Sequence, residues 1–169
     1  VAQSIRRMHT MLVGEEGQCA KQSAGRLGWL EALIRTARQL CSTRGEAGSS
    51  ANGNIRPVVA YLLLCVISTV CSEHAGNAVE FINLGAIEEI CNVSRMFAPD
   101  VGVQRGCLMA LPDILAAAGY VPRPANCIIV ASIFRSLAGH QDELMHLLGW
   151  RALHCLAEHS NMMLWQSVE

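Results

Sequence analysis

AGNAVEFINLGAIEEICNVSRMFAPDVGVQRGCLMALPDILAAAG, residues 75–119, carries the pattern that the rest of the chain repeats in altered form. Its apolar residues recur at helical spacing in three runs, which predicts helices over 77–83, 86–97 and 101–118. Leu84-Gly85 separates the first two. Glycine tolerates the left-handed conformation that ends a helix, so the next can start at a sharp angle. Asp100, after Pro99, is a fitting N-cap for the third run. Pro112 falls inside that run and is expected to kink or divide it.

Working outward, two phrases recur. The first is Leu27-Gly28-Trp29-Leu30-Glu31-Ala32-Leu33, Leu84-Gly85-Ala86-Ile87-Glu88-Glu89-Ile90 and Leu148-Gly149-Trp150-Arg151-Ala152-Leu153. The second is Ala60-Tyr61-Leu62-Leu63-Leu64-Cys65-Val66, Leu108-Met109-Ala110-Leu111-Pro112-Asp113-Ile114 and Ala131-Ser132-Ile133-Phe134-Arg135-Ser136-Leu137. In each copy of the second phrase the second residue and the one four later share a helix face. That puts Tyr61 and Cys65, Met109 and Asp113, Ser132 and Ser136 on the open face. Further helices are expected at 2–13, 17–26, 29–42, 56–71, 125–138, 142–147 and 150–159. Asn126 is an expected N-cap, Gly119 and Gly139 follow helix ends, and Pro122 and Pro124 fall in connections. Residues 43–54, TRGEAGSSANGN, are too poor in apolar side chains to offset the entropy of ordering and read as a flexible surface loop. No alternating run bounded by turn signals makes a strand, so the fold class is all-α.

These phrases resemble armadillo repeats, in which a short helix ends at glycine, a second opens Gly-Ala-Ile/Leu, and a third carries an Ala-Trp-Ala-Leu-Ser-Asn-Leu motif. Residues 75–119 match that order best. The glycines at 28, 85 and 149 are spaced more widely than the roughly 40–47 residues of such repeats. The loop at 43–54 accounts for the first excess and an extra, HEAT-like helix for the second. The resemblance implies a right-handed α-solenoid, with repeat-like units at about 1–42, 55–119 and 125–169. It also implies a partner-binding groove lined by Tyr61, Cys65, Met109, Asp113, Ser132 and Ser136. None of these pairs keeps the Trp and Asn with which the family holds nuclear-localisation peptides.

Composition bounds the function classes. The chain is 51% hydrophobic but only 5% aromatic, which favours Leu/Ala/Val-packed helices over an aromatic-rich sandwich. Thirteen basic and 14 acidic residues leave no global field to draw in nucleic acid or an anionic membrane. The most membrane-like stretch, 57–71, is shorter than the ~20 residues a span needs and reads as a core helix. Several of the eight cysteines lie inside apolar runs, as free thiols do in a reducing, cytoplasmic compartment. The first and last residues read as parts of unfinished helices, so a longer parent protein is expected.

Candidate chemistry is sparse. His154, Cys155 and His159 put two ligands one turn apart, without the CxxC that would complete a zinc site, and read as packed helix residues. Cys71 and His74 have no orienting acid, and read as a core thiol beside a helix terminus. Glu88-Glu89 and Asp142-Glu143 point about 100° apart on a helix and read as solvated carboxylates, the latter also suiting a helix N-terminus. Neither GxGxxG, GxxxxGK[ST] nor GxSxG occurs. Arg6-Arg7 and Arg26, Arg35, Arg38 and Arg44 give a mildly basic N-terminal third that reads as solvated helix surface. The expectation is therefore no enzyme, no cofactor and no metal, but a scaffold or adaptor that holds a protein partner, without nucleic acid or membrane, within a larger complex. The alternatives are a fixed building block of a cytoskeletal or ciliary assembly, or the regulatory solenoid of an enzyme whose catalytic part lies elsewhere.

Overall fold

The computed structural model describes residues 2–13, 17–26, 28–42, 55–118 and 123–166. Among them are nine α-helices and no strand: α1 (Ala2–Val13), α2 (Gly17–Arg26), α3 (Trp29–Ser42), α4 (Ile55–Cys71), α5 (Ala75–Asn83), α6 (Ala86–Met96), α7 (Val101–Ala118), α8 (Arg123–Gly139) and α9 (Glu143–Gln166). The expected loop at 43–54, with Gly119 and Pro122, lies outside the described residues.

The turn chemistry explains most of the boundaries. Gly28 and Gly85 both take positive φ, 70° and 80°. At the α5–α6 junction Leu84 N donates to Glu80 O and Gly85 N to Ile82 O, while Arg38 Nη2 reaches across to cap Leu84 O at 3.0 Å. Such bonds satisfy carbonyls that a helix end leaves open. Asp100 caps α7 as expected, its Oδ1 accepting from Val103 N at 2.8 Å. Asp142 does the same for α9 through Met145 N at 2.8 Å.

Two expectations are corrected, at Leu148-Gly149 and at the start of α8, and one of the two alternatives at Pro112 is removed. Leu148-Gly149 is no junction: α9 runs unbroken through it, and the helices expected at 142–147 and 150–159 are one. Gly149 serves close packing instead, since a Cβ there would stand 2.8 Å from Leu137 Cδ2 of α8. Pro112 does not divide α7, which is one helix of 18 residues. Pro124 and Asn126 lie inside the start of α8 rather than before it. A first helical turn lacks intrahelical partners for its N–H groups, so proline fits there without loss.

Several helix contacts follow one another in a row: α1 packs on α4, α4 on α7 and α7 on α9; α3 packs on α6 and α6 on α8; α2 packs on α5, while α5 also packs on α7 and α8 on α9 across these rows. The α4–α7 contact is the most extensive and forms the centre of the core. Leu63, Leu64 and Ile67 of α4 and Leu108, Leu111, Ile114 and Leu115 of α7 are essentially inaccessible to solvent. α7, unlike the 57–71 stretch, is long and apolar enough to cross a membrane by length and composition. Ten of its residues are nevertheless buried against its neighbours, the pattern of a core helix.

Polar residues fix the register within this apolar mass. Buried Gln104 of α7 donates from Nε2 to Ser94 O and Phe97 O, at 2.8 and 2.9 Å. Its Oε1 accepts from Ser94 Oγ at 2.8 Å and from Ser136 Oγ at 2.5 Å. One amide thus uses all four of its hydrogen-bonding positions to join α6, α7 and α8. Asn77 works similarly, donating to Lys21 O and Val70 O to tie α5 to α2 and α4.

Candidate interaction face

The outward stripes of α4 and α7 lie side by side. On α4, residues 58, 61, 65 and 69 follow one another at helical spacing, and none is buried. On α7, residues 101, 105, 109 and 113 do the same. Gly106 allows the two helices to approach closely: a Cβ there would lie 3.1 Å from Leu64 and 3.3 Å from the Tyr61 ring. Tyr61 therefore reaches α7 while remaining 38% exposed; Val58 of α4 and Val101 of α7 are also exposed.

Polar bonds carry the face on to α9. Asp113 Oδ2 accepts from Ser68 Oγ of α4, and Oδ1 from Arg151 Nη2 of α9 at 2.6 Å. One carboxylate therefore links three successive helices of the row. Arg105 pairs with Asp142 through Nε and Nη2. That bond holds the Asp142 carboxyl below its ordinary range and, with a smaller contribution from the Met145 amide, fixes the start of α9. The Arg105 guanidinium is correspondingly pushed up by the same partner. The Tyr61 phenol is pushed up mainly by its hydrogen bond with the Cys65 thiol, and the Cys65 thiol mainly by burial.

A cleft of about 390 Å³ opens beside Asp113, lined by Leu12, Gln18, Lys21, Ser68, Thr69 and Ser72 among others. Lys21 is buried and donates from Nζ to Ser72 O at 3.1 Å. Its stem is thus laid along the helices while the ammonium reaches the cleft wall.

Of the six residues expected to line a groove, the structure brings four together: Tyr61, Cys65, Met109 and Asp113 lie on the neighbouring stripes of α4 and α7. Ser132 and Ser136 are elsewhere. α8 packs in the row of α3 and α6, and both serines are 3% exposed on its inner side. Ser136 is bonded to Gln104, and Ser132 is hydrogen-bonded with the Cys91 thiol. What α8 shows to solvent from that phrase is Ala131, Phe134 and Arg135. Arg105, Arg151, Ser68 and Lys21 were missed in the sequence, because their roles depend on which helices become neighbours.

The other candidate centres are accounted for by packing. Cys71 is fully buried, and burial pushes its thiol far above the ordinary range. His74 caps α5, its Nδ1 accepting from Asn77 N at 3.1 Å. His154 lies beside Glu158 at 3.5 Å on the exposed side of α9, Cys155 is half-buried, and the His159 side chain is outside the described residues. Among the described residues no three His, Cys, Asp or Glu side chains come together to hold a metal ion. Glu89 pairs with Arg38 at 2.9 Å. No family model, curated protein or solved structure matches the chain.

Proposed function

We propose that this chain is a non-catalytic protein-binding module, an α-solenoid segment of the armadillo or HEAT kind, which takes a protein partner across the α4–α7–α9 face. The observation that carries this reading is the recurrence of neighbours at every third helix: α1, α4 and α7; α2 and α5; α3 and α6. That recurrence suits helix triplets α2–α4 and α5–α7 stacked in register, with α8 and α9 added as a pair. Stacked units of this kind bury a continuous core and leave a ridged surface on which each unit contributes one helix. Here that surface offers Val58, Tyr61 and Met109 as apolar anchors beside charges already held in place by Asp113–Arg151 and Arg105–Asp142. Exposed aromatic and Met side chains rimmed by fixed charge are favourable anchors for a protein partner.

The test is affinity capture of the tagged chain from cells, with mass spectrometry, beside a Tyr61→Ala/Met109→Lys variant and a Leu147→Glu variant. Both change accessible side chains, and circular dichroism checks that helix content is retained. The expected result is a set of proteins lost from the first variant and kept by the second. An identical set from all three chains removes the α4–α7 face from the mechanism.

A further inference from the structure

The cleft of about 390 Å³ beside Asp113 holds a positive charge that no described residue balances. That charge is Lys21, only 9% exposed. Its ammonium donates one of its three N–H groups to Ser72 O, at 3.1 Å. A carbonyl brings no charge, and among the described residues no carboxylate is paired with Lys21. Asp113 lines the same cleft but is paired with Arg151. A lysine buried this deeply is as a rule paired with an anion. Gly17 and Gln18, one turn before Lys21, also line the cleft as the first residues of α2. The opening N–H groups of a helix have no partners within it and lie at the positive end of its dipole. A buried ammonium and a helix N-terminus thus direct positive potential into one cavity.

We infer that this cleft binds the C-terminal carboxylate of a peptide chain, held by the Lys21 ammonium and the first-turn amides of α2. Charge and size select that group. A phosphate would set close to two negative charges against Asp113. A carboxylate brings one, and the terminal residue's own N–H lies close behind it. Asp113 can accept that N–H: its oxygens offer about four acceptor positions, of which Ser68 and Arg151 take two. An internal Asp or Glu side chain would require the peptide to pass through. The cavity lies near the lower end of the range of ligand pockets, about 300–1,000 Å³, and suits a single terminal residue instead. Leu12 and Val13 supply an apolar wall for its side chain. The owner of the carboxylate rests on the protein-binding reading; the affinity of the cleft for a carboxylate does not.

The probe is N-acetylglycine, one terminal residue with its carboxylate and N–H, titrated to about 50 mM against the isotope-labelled chain and followed by amide chemical shifts. N-acetylglycinamide removes the charge, and acetate removes the amide. The expected result is saturable shifts at the start of α2, with a dissociation constant of about 1–10 mM for so small a ligand. Binding should be at least tenfold weaker for the carboxamide and at least threefold weaker for acetate. Lys21→Met keeps the apolar stem and should weaken N-acetylglycine at least tenfold. Val13→Glu, at a residue of the cleft wall that is 63% exposed, sets a competing carboxylate beside the site and should weaken it at least threefold. It decides the matter where Lys21→Met does not fold. Shifts that do not saturate, a carboxamide that binds as tightly, or binding indifferent to these variants overturns the proposal. Acetate binding as tightly as N-acetylglycine overturns the assignment to a peptide terminus. A probe that fails while affinity capture through the α4–α7 face succeeds removes the cleft alone, and the reverse removes the partner reading alone.

Discussion

Gln104→Leu is the substitution that tests most directly what holds α8 to the rest of the fold. Leucine fits the apolar surroundings of α7 but strands the groups that the amide now satisfies. Ser94 O, at the open C-terminal end of α6, loses its donor, Phe97 O keeps only the Asp100 amide, and the hydroxyls of Ser94 and Ser136 lose their acceptor. Each buried polar group left unpaired costs about 1–3 kcal/mol, against a modest gain from the added apolar contact. A net loss of about 2–5 kcal/mol follows, a large fraction of the roughly 5–15 kcal/mol that holds a typical domain. With a urea slope of about 2 kcal/mol per molar, the unfolding midpoint should fall by about 1–2.5 M. The triple variant Ser94→Ala/Gln104→Leu/Ser136→Ala removes the stranded hydroxyls and leaves only the Ser94 carbonyl without a donor. It should be more stable than the single variant by about 1–2 kcal/mol, although it changes three residues instead of one. Equilibrium unfolding followed by far-UV circular dichroism measures both. A single-variant loss below about 0.5 kcal/mol, or a triple variant no better than the single, would refute the claim that this amide is fully engaged.

Three further outcomes follow from particular contacts. Gly149→Ala should destabilise by about 1 kcal/mol despite alanine's helix preference, because its methyl meets Leu137; in a Leu137→Ala background the same change should instead stabilise by about 1 kcal/mol, and an unchanged sign in urea melts would dismiss the packing role. Asp142, held below its ordinary value of 3.8, contributes stability that is present above that pH and is lost as pH falls through the lower folded value. Asp142→Asn, which cannot titrate, should therefore show a shallower loss of stability below about pH 4, and an unaltered slope in acid titrations counts against the Arg105 pair. Cys19 is exposed, whereas burial shields Cys71, Cys91 and Cys107 and holds their thiols protonated. Alkylation mapped by mass spectrometry should label Cys19 in the native chain and the other three only on unfolding, so equal labelling would contradict the packing.

Helix positions were legible because hydrophobic spacing and turn residues agree almost everywhere. The phrase Leu-Gly was less informative than its surroundings. Before Gly85 the buried residues are Asn77, Ala78, Phe81 and Ile82; after it they are Ala86, Ile87, Ile90, Cys91, Val93 and Ser94. At about 100° per residue the second set is rotated by roughly 165° from the first, so the periodicity breaks at the glycine. A comparable break falls at Gly28, between Ala24 and the set Leu30, Leu33, Ile34 and Ala37. Across Gly149 there is no break: Met145, Gly149, Ala152 and Leu156 keep one face at spacings of four, three and four. The signal that this glycine is internal was in the phase of its neighbours, not in the dipeptide. Ser132 and Ser136 failed for a different reason. On α4 and α7 the matching positions are bordered by long apolar runs that fix the inner face. On α8 the inner face is built from Ile129, Ile133 and the two serines, whose small hydroxyls find partners on α6 and α7. Whether a serine faces solvent or a buried glutamine depends on a helix 32 residues away from Ser136, and no local pattern encodes that.

The charges on the α4–α7–α9 face constrain how any partner can use it. Asp113 is shared between Ser68 and Arg151, and Arg105 is committed to Asp142, so these groups serve first to hold neighbouring helices in register. A ligand that recruited them as its main contacts would have to compete with bonds that define the row. Exposed ion pairs contribute little in isolation, but each of these joins separate helices, and breaking them loosens the surface to be recognised. On the proposed reading, recognition that leaves them intact would draw its affinity from Val58, Tyr61 and Met109, with Asp113 and Arg151 as a fixed rim to orient a partner. The two kinds of substitution should then differ in kind. Removing the Tyr61 ring should weaken binding and leave helix docking intact, whereas Asp113→Ala should loosen α9 first and weaken binding only as a consequence. Hydrogen exchange of the α9 amides separates the two: unchanged protection with lost binding marks an anchor, and parallel loss of both marks a residue that acts through the fold.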